Sequence, residues 1–476
     1  MPVTNEPLRE EVEMNGIQQS PHSSEESYGT RKEGKPIYGD ALIDEEESEV
    51  HHYVPSNRFS AALNRVVPHG GFVSNAYTLA AVTLGSGIIT LPAAFQASGV
   101  IVSIIVLIVI TLSTVYSVYL LAQAVEKSKR TLNSYEELAR GLLGVGWDYL
   151  AAFNMWMFCF GSCVSYVIST GDLISRATDD PSVNEFIRST WGKRVLVIIV
   201  WSVTMLPLSL PKEINSLRYF SVIGVSCMVY FVIVIIVHAS TNGFENGKAV
   251  NPLQMFKTGN NALVGFSQFI FAYLCQTNCF EVYREMEKPS PYRLMLHTAV
   301  SMTVCCILYI FAGIFGYLEF GEEITDSILL YFNVRSDVMV AIAYVGIGVK
   351  MIVGFAICMQ PSRDSVYYCL SSRLPIFRDI NTVPFWLNGL ICGLMAVVAL
   401  VLGLFIPSVT IVFGLVGSFC GGFLGFVFPA FYIMYCGNWS LKSVGVFHWV
   451  STYLLLICGV VAIVFGTVAS IYGEIK

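Results

Sequence analysis

Charge is what this sequence has least of. Only 13% of its 476 residues are charged, against 54% hydrophobic, and the mean hydropathy is +0.62. An ordinary soluble domain carries about twice that charged fraction. A globule with a water-facing surface is therefore excluded. No basic stripe is present, so nucleic acid is not an expected partner. The net charge of −6 says little, because much of the acid sits in the N-terminal tail. No apolar stretch occurs early in the chain, so no cleavable signal peptide is expected and the first span must act as the insertion signal. Cysteine is scarce outside the apolar runs: Cys159, Cys163, Cys227, Cys275, Cys279, Cys305, Cys306, Cys358, Cys392, Cys420 and Cys458 all lie within them. There they read as small packing residues, and no structural disulfide is expected. Cys159/Cys163 and Cys275/Cys279 have metal-like spacing but no His or acid beside them, which disfavours a metal. Neither a metal nor any other cofactor is expected. The phosphate-cradling Gly-x-x-x-x-Gly-Lys-Ser/Thr loop is missing, which argues against an ATP-driven pump. So are His-Glu-x-x-His and a nucleophile elbow, which argues against an enzyme and assigns no catalytic residue. No repeated pore loop or ring of like charge supports a channel.

What fills the sequence instead is apolar runs long enough to cross a bilayer, each about 20 residues. They predict an all-α membrane protein of about eleven spans, near 72–97, 100–124, 148–173, 194–211, 217–240, 260–282, 294–318, 338–361, 384–406, 409–435 and 448–472. Residues 1–66 form a polar tail with acidic runs such as Asp44-Glu45-Glu46-Glu47-Ser48-Glu49. It has too few large apolar residues to offset its ordering entropy, so it reads as disordered. Residues 67–476 form the membrane domain. With the N-terminus inside, the inner segments hold more Lys and Arg (Lys127, Lys129, Arg130, Arg140, Lys212, Arg218, Arg363) than the outer ones (Arg176, Lys193, Lys248, Arg335). That bias places the tail in the cytosol and the C-terminus outside. The sequon at Asn438 then falls on the inner side and is expected to stay unused.

The most informative segment is Leu84-Gly85-Ser86-Gly87-Ile88-Ile89-Thr90-Leu91-Pro92 in the first span. Two glycines and a proline interrupt a strong apolar run, lowering helix propensity and removing a backbone donor. In lipid, an unwound stretch survives only where protein buries it or it lines a polar cavity. The freed N–H groups at Gly85–Gly87 could hold a carboxylate at the positive end of the following half-helix. Close helix packing through small residues is the competing explanation. In the sixth span, Gln276, Thr277 and Asn278 are compatible with a second break or with interhelical hydrogen bonds. In the eighth, Lys350 lies more than ten residues from either end of an apolar run, unless the span boundary is misplaced. An intramembrane charge is a functional candidate by default. Asp172 and Glu319, near span ends, read as solvated. His297 opens the seventh span, as a proton relay or as a satisfied polar residue. Gly417, Gly421 and Gly425 read as a packing stripe in the tenth span.

Gly85 to Phe95 resembles the first-span signature of the amino acid/auxin permease family. Further matches follow in order: Tyr135-Glu136-Glu137-Leu138-Ala139, Tyr166 to Asp172, Leu206-Pro207-Leu208-Ser209, Gly316-Tyr317-Leu318-Glu319-Phe320-Gly321, Asp326-Ser327-Ile328-Leu329, Ile406-Pro407 and Gly414-Leu415-Val416-Gly417. Each alone is weak; the ordered series is specific and runs from residue 70 to the end. The acidic tail and eleven spans look most like the kinetoplastid branch.

The resemblance implies a leucine-transporter-type fold, with spans 1–5 and 6–10 as inverted repeats and spans 1 and 6 broken. It implies an amino acid carrier of the lipid bilayer working by alternating access, with a substrate site at Thr83, Gly85, Ser86, Gly87, Tyr166, Phe271, Ala272, Tyr273 and Cys275. Sodium-coupled members often carry Asn four residues before the first glycine of the Gly-Ser-Gly motif. Ala81 stands there and offers no side-chain oxygen to a hard cation. Proton coupling or sodium-independent exchange is therefore expected, with protons as a second partner. Lys350, on the span that helps form the sodium site in such relatives, is the coupling candidate. The plasma membrane is the favoured address, with an acidic organelle as the other. An amino acid sensor signalling through the tail is the alternative function.

Overall fold

The computed structural model describes residues 71–129, 134–211, 217–245, 248–249, 251–335, 337–377, 382–437 and 439–475. The tail at 1–66 and the sequon at Asn438 lie outside them. Among the described residues the regular elements are helices apart from one antiparallel pair of two-residue strands, Phe244–Glu245 with Lys248–Ala249. Its main helices are α1 (Phe72–Thr83), α2 (Leu91–Ser98), α3 (Val100–Lys127), α4 (Trp147–Thr178), α5 (Thr190–Ser209), α6 (Leu217–Asn242), α7 (Asn260–Tyr273) and α8 (Cys279–Glu285). They continue with α9 (Pro291–Phe320), α10 (Val338–Ser371), α11 (Phe385–Phe405), α12 (Val409–Tyr435) and α13 (Val446–Gly473).

Among the described residues, nine helices are long and apolar enough to cross a membrane unaided. The pair α1–α2, bent by 47°, makes a tenth. The expected sixth span, 260–282, is divided into α7 of 14 residues and α8 of 7, each too short alone. The outer helices turn large apolar side chains outward: Leu112 is 65% exposed, Val203 69% and Leu394 66%. Such a surface suits hydrocarbon and not water. The central helices α4 and α12 are mostly buried.

The first break follows from the sequence. Leu84 (ψ 63°) and Gly85 (φ −100°, ψ −146°) leave the helix, a short 3₁₀ segment spans Ser86–Thr90, and Pro92 sits in the first turn of α2, where its missing N–H costs nothing. Gly99, at φ +85°, lets the chain reverse into α3 beneath the 254–257 segment. A Cβ there would lie 2.9 Å from Met255 O and Lys257 N. The second break lies at Leu274–Cys275, and Gln276–Asn278 form a 3₁₀ turn between α7 and α8. The stretch is irregular, and Gln276 also bonds between helices, its Nε2 donating to Ser117 Oγ on α3 at 3.4 Å. The glycine stripe on α12 packs on α7: a Cβ at Gly417 would lie 2.2 Å from Ser267 O, and one at Gly421 2.5 Å from Ile270 Cγ2.

Two expectations are corrected. Asp172 and Glu319 are not solvated. Asp172 Oδ2 is buried without a hydrogen-bond partner, and Glu319 is paired with His238 on α6, its side chain only 5% exposed. The loop after α9 folds back over these helix ends; Arg176 Nε donates to Phe332 O at 2.6 Å.

Candidate functional site

The two breaks face each other. Gly87 lies so close to Ala272 that a Cβ would fall 2.7 Å from Ala272 Cβ and 2.9 Å from its Cα. Only glycine permits this approach. Ser165 gives its hydrogen to Ser162 O at 2.7 Å, so Ser86 is the donor in the 3.1 Å contact between Ser86 Oγ and Ser165 Oγ. Tyr166 Oη sits against Gly85, 3.1 Å from where a Cβ would be, and its ring fills the space beside Gly354 on α10. Phe271 stacks on Phe413 at 4.1 Å between centroids and leans on Phe158 at 5.2 Å. Gly85, Ser86, Gly87, Tyr166, Phe271 and Ala272 thus converge between α1–α2, α4, α7 and α12.

The remaining expected residues lie around this cluster. Thr83 donates its hydroxyl to Leu79 O at 2.8 Å, with Met302 Sδ at 3.8 Å. The Tyr273 side chain points away, accepting from Thr111 Oγ1 at 3.0 Å on α3. Cys275 lies in the turn beyond the break, its N–H bonded to Tyr273 O at 2.8 Å. Lys350 is 3% exposed, well inside the 34-residue α10.

Helix ends leave N–H and C=O groups without intrahelical partners. At these breaks two side chains take up the orphaned carbonyls. Tyr309 on α9 points its hydroxyl at Thr83 O (2.6 Å) and Ala272 O (3.0 Å), bridging the ends of α1 and α7. Lys350 Nζ donates to Ala81 O at 2.8 Å, its stem lying on Gly224 of α6. Sequence reasoning missed Tyr309, Ser165, Phe413 and Gly354. A tyrosine amid an apolar run was the one available signal for Tyr309.

The site is closed in this conformation: Thr83, Ser86, Tyr166, Phe271 and Ala272 are each at most 6% exposed. Both faces carry polar latches. At one, Glu322 accepts from Lys257 Nζ (2.6 Å), Gln96 Nε2 (2.8 Å) and Tyr317 Oη (2.7 Å), tying α2, the 254–257 segment and α9 together. Gln96, Lys257 and Asn260 there line a polar cleft of about 450 Å³. At the other, Tyr135 donates to Leu424 O at 2.9 Å and its carbonyl accepts from Tyr432 at 2.8 Å. Beside it, buried Asp148 accepts from Arg140 and Tyr368, both at 3.1 Å.

A family model described as transmembrane amino acid transporter protein matches residues 69–472. The chain is 26% identical over 306 residues to vacuolar amino acid transporter 6 of Saccharomyces cerevisiae, a match covering 62% of this chain and 66% of that one. It is 25% identical over 437 residues to sodium-coupled neutral amino acid symporter 2 of Danio rerio, covering 86% and 83%. Amino acid transporter AVT6E of Arabidopsis thaliana matches at 26% over 418 residues, covering 84% and 83%.

Proposed function

The chain belongs to the transmembrane amino acid transporter family, and from that membership we propose a secondary carrier that moves amino acids by alternating access, independently of sodium and coupled to protons. Eleven spans in a 5+5 inverted repeat, with α1–α2 and α7–α8 as the broken pair, make up residues 67–476. The tail at 1–66 is cytosolic. The substrate carboxylate docks on the N–H groups of Ser86 and Gly87 at the start of the half-helix. Phe271 and Ala272 border the amine and side chain, and Tyr166 closes over Gly85. Binding requires the Gly87–Ala272 contact to part, which suits a site that opens to each face in turn.

The observation that carries sodium independence is the ammonium of Lys350 on the Ala81 carbonyl. Two relatives, from Danio rerio and Xenopus laevis, are named sodium-coupled. Here a fixed cation occupies the carbonyl at the end of α1, and Ala81 adds no side-chain ligand. A yeast relative is named vacuolar, so an acidic organelle stands beside the plasma membrane as the address. Uptake of a labelled amino acid panel by cells expressing the chain, at two external pH values with and without sodium, tests this. Acid-stimulated, sodium-indifferent uptake supports it; sodium-dependent uptake overturns it.

A further inference from the structure

His297, Ser301, Cys305 and Tyr309 recur every fourth residue along α9, so they share one strip of that helix. All four are buried, at 5%, 3%, 0% and 0% exposure. The strip faces the broken helices. The Phe72 ring, at the start of α1, meets His297 edge-on at 4.8 Å, and Tyr309 reaches the two break-point carbonyls. From His297 to Tyr309 is about 18 Å along the helix. Two polar atoms on this strip, His297 Nδ1 and Ser301 Oγ, are buried without a hydrogen-bond partner. Buried polar groups in folded proteins are paired with protein or with ordered water.

We propose that His297 and Ser301 hold a short file of water along this strip and pass protons between the α1-start face of the membrane and the broken-helix site. This rests on the proton-coupled reading above. In each passage His297 takes a proton on one ring nitrogen and releases one from the other. Ser301 takes up a proton at Oγ from the water before it as its own hydrogen passes to the water after it. One net proton moves; His297 is left in its other tautomer and Ser301 with its hydroxyl reversed, and both turn back before the next passage. Among the described residues, Arg293 of its own helix bears on it by charge. On α1, Tyr77 gives its hydroxyl to Val222 O at 2.8 Å. On α3, Glu126 accepts from Tyr283 at 2.6 Å.

The test uses the full chain in liposomes with a trapped pH dye and an equimolar mixture of labelled amino acids. Uptake driven by a proton gradient is compared with counterflow exchange at equal pH, for His297→Gln, Ser301→Ala and the exposed control Thr303→Val. The expected result is a fall of at least tenfold in gradient-driven uptake and dye response for the first two variants. Counterflow should stay within twofold of the parent, and the control should be unchanged. Undiminished proton movement in both variants overturns the proposal while leaving proton coupling intact. An equal loss of counterflow in both overturns it too, since the residues would then be structural. Amino acid uptake without any dye response in the parent chain removes the coupling reading itself, and the relay with it.

Discussion

Lys350 and Ala81 are 269 residues apart in sequence, yet the ammonium of one lies 2.8 Å from the carbonyl oxygen of the other. The carbonyl is available because α1 stops at Thr83, and the lysine is confined because its stem lies on Gly224. A buried cation held by one neutral carbonyl is costly to keep. Replacing a buried charged group with an apolar one of similar volume is often neutral or stabilising. Lys350→Met should therefore leave thermal stability in detergent unchanged or raised while cutting uptake at least tenfold and flattening its pH dependence. Retained uptake with an unaltered pH profile would remove Lys350 from the coupling mechanism.

That relationship was half legible in the sequence. A lysine inside an apolar run announces itself; its partner does not, because a main-chain carbonyl becomes available only where a helix breaks. The break in the first span was legible, since Gly85, Gly87 and Pro92 each weaken a helix. The break at Leu274–Cys275 was not. Neither residue disfavours helix locally, and the chain is held there by Tyr309 on Ala272 O and by α12 packing on α7. Asp172 and Glu319 were misread for a related reason. Their positions near span ends suggested water, but the loop after α9 covers them. Tertiary contacts decided each of these points, and none of them has a local pattern.

Gly87 tests the contact between the two breaks. In Gly87→Ala the new methyl meets Ala272 Cβ and backbone, neither of which is a flexible side-chain end. Overpacking of this kind costs about 1–3 kcal/mol. The variant should melt earlier and lose most uptake. Gly389→Ala on α11 is the control, because nothing lies within 4 Å of its added Cβ. It should be neutral or gain up to about 1 kcal/mol from helix propensity. Equal behaviour of the two variants in a thermal melt would contradict the close approach.

Tyr309→Phe removes a hydroxyl and keeps the ring against Tyr273, whose centroid is 5.3 Å away. Ala272 O then loses its donor, while Thr83 O keeps the Gly85 N–H at 2.7 Å. Leaving buried acceptors unsatisfied costs about 1–3 kcal/mol. Because both carbonyls belong to the site, the substrate KM should rise severalfold in addition to the drop in melting temperature. A lower melting temperature with an unchanged KM would reduce Tyr309 to a packing residue.

Glu136 lies outside the spans, on the Tyr135–Leu138 turn, and is 8% exposed with Ser365 Oγ 3.5 Å from Oε1. Burial pushes its carboxyl above the ordinary 4.5, against hydrogen bonds from its own backbone and Ser134; Glu137 and Asp364 add to the rise. The folded chain therefore holds this proton more tightly than the unfolded chain does. The stability this contributes is fully present below the ordinary pKa and is lost as pH climbs through the raised one. Glu136→Gln keeps the shape and removes the charge. Its melting temperature should match the parent at about pH 4, where both side chains are neutral, and exceed it at about pH 8, where the parent must ionise a buried carboxyl. A variant that melts below the parent at the higher pH would mean that the charged form is the stabilised one, and that the Tyr135 latch is held by charge instead of by burial.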